Sequence, residues 1–351
     1  MSLPRIAPLA FTLALLASGG ARAQSSTEVE TVVERVVALV DSHYVFEDQR
    51  AAITGRIHAG LQAGRYRGDP SPDSLAAALT RGLRSATGDG HLYVEHVGDA
   101  EGRGTDWEAW AERERVEEQT TNYGFTEARV LDGNIGYLRV VGWMEPQRGY
   151  DAAVAAMTFL ENTGALVIDV RGNGGGYGGL AELLVSYFFD PPPTLLTTTR
   201  YSDPSVGPST LYTLPFVPGE RRVGDPLFVV IDEGTGSASE WFAYTLQAFG
   251  KAVVVGEPSH GSANRNTYYD LGGGLRLSVS TGAPINAVTG TNWEGVGVQP
   301  DVAVTADEAP AAAHAAALRA LLDRAEDPAQ RARLAAALRT AERGAGATSG
   351  R

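Results

Sequence analysis

The stretch ALVIDVRGNGGG, residues 165–176, begins as an unbroken apolar run and closes on glycines. A strand without polar alternation is one covered on both faces, as in a parallel sheet. Two more runs of the same kind follow, PLFVVID (226–232) and AVVVGE (252–257). Helical patterns at 149–162, 179–189 and 239–249 alternate with these runs. The spacing therefore predicts an α/β fold built on a largely parallel, covered sheet. On either side of this region, ARVLDGNIGYLRVV (128–141) predicts a hairpin turning at Asp132-Gly133, and TYYDLGGGLRLSVSTG (267–282) one turning at its glycines.

Outward from this centre the pattern changes. Residues 27–86 are helical. Val32, Val36, Val37 and Val40 form one apolar stripe, a second run covers 49–63, and a third starts after Ser71-Pro72, a cap followed by proline at the first helical position. Three such helices predict a small bundle. An amphipathic stretch near 107–116 reads as a linker helix, and the alanine- and arginine-rich end, 306–345, as helix packed on the core. Residues 1–23 carry Arg5, an apolar core and the small-x-small site Ala21-Arg22-Ala23, the pattern of a secretory signal peptide too short for a membrane span. The resulting division is a signal peptide (1–23), a helical domain (24–96), a linker (97–125), a catalytic stretch (126–305) and a C-terminal helical segment with tail (306–351). An exported protein, periplasmic or extracellular, is expected.

Composition narrows the chemistry. The 351 residues include 43% hydrophobic types, no cysteine and a net charge of −13. Cysteine nucleophiles, disulfide scaffolds and cysteine–zinc sites are excluded, and so broad a negative balance argues against nucleic acid. Lys251 is the sole lysine among 29 basic residues. Neither a cofactor nor a metal is expected.

Four stretches carry residues suited to catalysis. The glycines of 172–176 can aim backbone N–H groups into one space beside a helix N-terminus, but they lack the lysine of a P-loop and the spacing of a dinucleotide loop. Ser237 and Ser239 stand at a strand–turn–helix junction, where nucleophilic serines are displayed; Ser239 suits helix capping better. Glu294 follows Trp293 among glycines in NWEGVGVQPD (292–301). Among six histidines, His91 follows the tight turn Asp89-Gly90, with His96 and His260 as rivals.

The ordered strings ALVIDVRGNGGG, PLFVVIDEGTGSASEWFAYTLQ, AVVVGEPSHG and NWEGVGVQPDVAV resemble the tail-specific, or C-terminal processing, serine peptidases. More narrowly they are similar to the branch holding tricorn protease and the interphotoreceptor retinoid-binding protein modules. The resemblance implies a crotonase-like spiral of ββα units. It also implies a serine peptidase acting on peptides or unfolded protein. In the processing branch a lysine serves as base, but Ser262 occupies that position here. In the tricorn-like branch the nucleophile, base and supporting carboxylate match Ser237, His91 and Glu294, with Gly90 standing where that branch has a serine. The N–H groups of Gly174, Gly175 and Ala238 are then the expected oxyanion hole. Asp169 and Arg171 are expected to fix the glycine loop, and Trp293 to pack beside Glu294. The competing class is a non-catalytic carrier of retinoid or fatty acid on the same fold.

Overall fold

The computed structural model describes residues 26–66, 71–98, 112, 115–116 and 118–348. The signal-peptide pattern and most of the linker stretch lie outside them. Three helices come first: α1 (Ser26–His43), α2 (Glu47–Gln62) and α3 (Pro72–Thr87). Ser71 caps α3 by accepting from the Ser74 N–H at 3.3 Å, with Pro72 in the first turn, and Gly88 ends it in the left-handed conformation. A short strand β1 (Tyr93–His96) follows, then β2 (Phe125–Leu131), β3 (Ile135–Val140) and α4 (Pro146–Phe159). Next are β4 (Ala165–Asp169), α5 (Gly178–Ser186), β5 (Leu195–Tyr201), β6 (Ser209–Tyr212) and β7 (Leu227–Ile231). The chain continues through α6 (Ala238–Ala248), β8 (Val253–Gly256), β9 (Arg265–Gly272), β10 (Leu275–Asn286) and β11 (Val302–Ala303). It ends in α7 (Ala309–Arg324) and α8 (Pro328–Thr348).

Six strands form one sheet in the order β11-β8-β7-β4-β3-β2, parallel except for the β2–β3 hairpin. Its two faces follow from the period of two along each strand. Leu166, Ile168, Val229 and Ile231 turn toward α4, α5 and α6, while Ala165, Val167, Phe228 and Val230 turn toward α7 and α8. Both faces are thus covered, which is why β4 and β7 read as continuous apolar runs rather than alternating ones.

The helical N-terminal part, expected as a small bundle, packs against a second sheet. Its apolar stripe, Val33, Val36 and Val40 with Leu79 and Leu83, shares a core with Leu271, Leu275, Leu277 and Val279 of β9 and β10. These strands belong to a five-stranded antiparallel sheet, order β1-β10-β5-β6 with β9 also on β10. One face of that sheet needs cover, and the helices supply it. The C-terminal segment, expected to be helical, is two helices broken at Asp327-Pro328, because the proline cannot continue α7. Among the described residues no helix is long and apolar enough to cross a membrane.

Candidate active site

Two strand–turn–helix junctions at the C-terminal ends of β4 and β7 lie against each other. The Gly236 N–H donates to the Asn173 carbonyl at 2.9 Å, and the Gly172 N–H to Asp232 Oδ1 at 2.7 Å. Asp169, fully buried, anchors the first junction. It accepts from Arg171, whose Nη2 lies 2.7 Å away, from the Tyr137 hydroxyl at 2.8 Å and from Arg139 at 3.0 Å. Arg171 also reaches the Ala306 carbonyl.

Ser237 sits at the turn before α6 with φ 51° and ψ −113°. A serine at positive φ is strained by about 1–3 kcal/mol and persists only where its surroundings over-determine it. Here its N–H donates to Glu240 Oε2 at 2.8 Å and its carbonyl accepts from the Trp241 N–H at 2.9 Å. Gly175 closes against this turn: a Cβ on it would stand 2.8 Å from the Ser237 Cβ, at a φ of +113°. Only glycine fits there. Ser239 has a different part from the expected cap. Its hydroxyl is wholly buried and accepts from the Trp143 indole at 2.9 Å, because its place in the first turn of α6 faces the core.

The Gly175 N–H, expected as an oxyanion donor, is already spent on Asn173 Oδ1 at 3.0 Å. The Gly174, Gly176 and Ala238 N–H groups have no partner among the described residues. Of these, Gly176 and Ala238 line the same cavity as Ser237, a cleft of about 290 Å³ walled further by Trp241, Trp293 and the β5 threonines Thr197 and Thr199. On this cavity the free glycine N–H is that of Gly176, while that of Gly175 is engaged.

The remaining site residues converge through one segment, Ser259 to Asn264. Two glutamates divide its donors. Glu240, fully buried, accepts from the Ser259 hydroxyl at 2.5 Å and from the Gly261 and Ser262 N–H groups at 2.6 and 2.9 Å, besides Ser237. Glu294 accepts from the Ala263 and Asn264 N–H groups at 2.6 and 2.7 Å and from the Gly90 N–H at 2.9 Å. Neighbouring amides thereby tie the serine turn to the histidine turn. Glu240 was missed from sequence, although its place three residues after Ser237 is the spacing of a capping box.

His91 is held through its N–H, which donates to Asp89 Oδ1 at 2.8 Å. Its Nδ1 is buried without a hydrogen-bond partner. Burial lowers its pKa below the ordinary 6.5, opposed by the charges of Asp89 and Glu240 and reinforced by His260 and Arg84. Burial, and then the charge of Asp89, raises Glu294 to about 8, against its three backbone donors. No hydrogen bond joins the side chains of Ser237, His91 and Glu294 to one another, and His91 and Glu294 are not part of the cavity lining. The donor atoms of Asp89, His91 and Glu294 lie within 4.8 Å of one another. All four carboxylate oxygens of Asp89 and Glu294 accept hydrogen bonds.

The rival histidines are placed elsewhere or otherwise engaged. His96 pairs with Asp73 at 3.1 Å, and His314 on α7 meets the Asp132 carbonyl. His260 is exposed and bonds Ser262 Oγ at 2.7 Å. That hydroxyl fills the volume beside Gly90, where a Cβ would come within 2.3 Å of it. Lys251 stands at the opposite end of the sheet, its Nζ 5.0 Å from the Phe189 ring centre. Trp293 is buried, tilted against Tyr244 at 5.1 Å.

Comparison with known proteins agrees with this architecture. The carboxy-terminal-processing protease of Bartonella bacilliformis is 30% identical over 185 residues, 50% of this chain and 39% of that protein. Carboxyl-terminal-processing peptidase 2, chloroplastic, of Arabidopsis thaliana is 29% identical over 48% of this chain and 31% of its own length. The match thus spans well under half of these relatives. A putative peptidase of Parabacteroides merdae, solved by crystallography, has the same fold, with a TM-score of 0.56 at 19% identity over 79% of this chain and 90% of that one. The description "Peptidase family S41" fits residues 134–304, and "N-terminal domain of Peptidase_S41 in eukaryotic IRBP" fits residues 23–123. With both its helical part and its parallel-sheet part matched in this way, the chain belongs to peptidase family S41.

Proposed function

We propose that this protein is a serine peptidase acting on peptides or unfolded protein, of the carboxy-terminal-processing kind, on a crotonase-like scaffold. The observation that carries the reading is Ser237, held at positive φ in one cavity with the unpartnered N–H groups of Gly176 and Ala238. Ser237 attacks the peptide carbonyl, and the two N–H groups receive the oxyanion. Each such donor contributes about 3 kcal/mol to the transition state. His91 takes the serine proton and returns it to the leaving amine. Its lowered pKa keeps the ring neutral, and so able to act as a base, at neutral pH. Catalytic hydrogen bonds in free enzymes are often long and tighten when substrate binds, which is the step that would bring Ser237 and His91 together. The cleft's threonines and Arg265 suit a peptide backbone more than a retinoid or fatty acid.

Labelling with a fluorophosphonate probe tests the reading. Wild-type protein takes up one label, and Ser237→Ala takes up none. Equal labelling of the two proteins would remove Ser237 from the mechanism.

A further inference from the structure

Asp89 is almost wholly buried, and nothing in the mechanism above uses it. Its Oδ1 accepts from the His91 N–H at 2.8 Å; its Oδ2 accepts from the Tyr44 hydroxyl and from Asn264 Nδ2, each at 3.1 Å. Asn264 in turn donates its N–H to Glu294 at 2.7 Å, so one residue braces both carboxyl groups. Two carboxylates with oxygens this close, and screened from water, do not both ionise: the second charge meets the first across a low dielectric. We infer that Asp89 is a positioning residue for the proposed reaction, forming with Glu294 a pair that retains one proton, on Glu294, and a single negative charge beside His91. This rests on the reading of His91 as the base.

The pair has a chemical consequence. When His91 receives the Ser237 proton, the imidazolium is balanced by one carboxylate charge, while the retained proton stays on Glu294 throughout. Two charges would hold the imidazolium so strongly that returning its proton to the leaving amine would be slow; none would leave the ring uncompensated. The other titratable groups facing the cluster are Tyr44 after α1, Arg84 of α3, Glu240 of α6 and His260 of the 259–264 segment. Tyr44 has its phenol pKa pushed well up by burial and by Asp89, so it stays a donor. The shift of Glu294 agrees with a proton retained at neutral pH.

The test follows the rate of fluorophosphonate labelling across pH in the full chain. In wild-type protein the rate has an inflection near pH 8 as Glu294 ionises, and Glu294→Gln removes it. Asp89→Asn moves the inflection down by about one pH unit or more, because the neighbouring charge is gone. An inflection that stays in place in folded Asp89→Asn overturns the pair, even if that variant melts earlier. Should Asp89→Asn not fold, infrared titration of wild-type protein decides. A carboxylic acid band present at neutral pH, lost as pH rises past about 8 and missing in Glu294→Gln, supports the pair. Its absence at neutral pH overturns it. Failure of the peptidase reading is distinct: Ser237 then takes no label at any pH, while the infrared band still reports the pair.

Discussion

At the residue scale, the candidate site is built by constraint. Ser237 pays for its exposure with strain, and Gly175 makes the strained turn possible by leaving room for it. Gly175→Ala is expected to cost about 1–3 kcal/mol in stability and to abolish labelling, checked by thermal denaturation and probe uptake. His91→Ala should lower peptidase activity by about 10² or more, measured as turnover of an unfolded substrate. Two shifted groups set the pH dependence of stability, in opposite senses. Glu294 has a raised pKa, so its contribution is full below 4.5 and is lost as pH rises through about 8. His91 has a lowered pKa, so its contribution is present above 6.5 and is lost as pH falls through its folded value. Denaturant titrations across this range should show a smaller fall in stability with rising pH in Glu294→Gln than in wild-type protein.

At the scale of elements, the segment from Ser259 to Asn264 joins what local sequence leaves apart. It has little regular structure, and four of its amides are satisfied instead by the buried Glu240 and the half-buried Glu294. Glu240→Gln keeps the shape but turns an amide NH₂ toward groups that are themselves donors. A loss of about 3 kcal/mol is expected, with reduced labelling of Ser237, read by chemical denaturation and probe kinetics. The strands and helices around this segment were legible beforehand. The parallel strands β4, β7 and β8 show continuous apolar runs, and α4, α5 and α6 begin within three residues of where periodicity puts them. Strands β5 and β6 were not foreseen. Leu195–Tyr201 is threonine-rich and Ser209–Tyr212 is exposed, so neither carries the pattern of a covered strand, yet both wall the cleft.

For the whole molecule, the two sheets carry three packed cores, and the helical N-terminal part is not independent of the rest. Val94 of β1 pairs with Leu277 of β10 across a sheet covered by α1 to α3. Leu277→Ala, at a fully buried position shared by helices and strands, should cost about 2–5 kcal/mol. Since that core spans both parts, calorimetry should record one transition rather than separate melting of the helices. The same packing positions His91, which enters the site from the turn between α3 and β1.

Sequence alone determined the parallel strands and the glycine turns at their ends, each written in a run of a few residues through side-chain periodicity and turn chemistry. Ser237, His91 and Glu294 were singled out as a candidate set by the family resemblance, not by any local pattern. Tertiary structure decided which amides remain free near Ser237, that of Gly176 and not that of Gly175, and which carboxylates meet His91. Those outcomes depend on contacts such as Gly90 with Glu294, 204 positions apart, where no local pattern reports the meeting. A buried donor or acceptor takes whichever partner the folded chain brings within reach, and only the assembled chain specifies that partner.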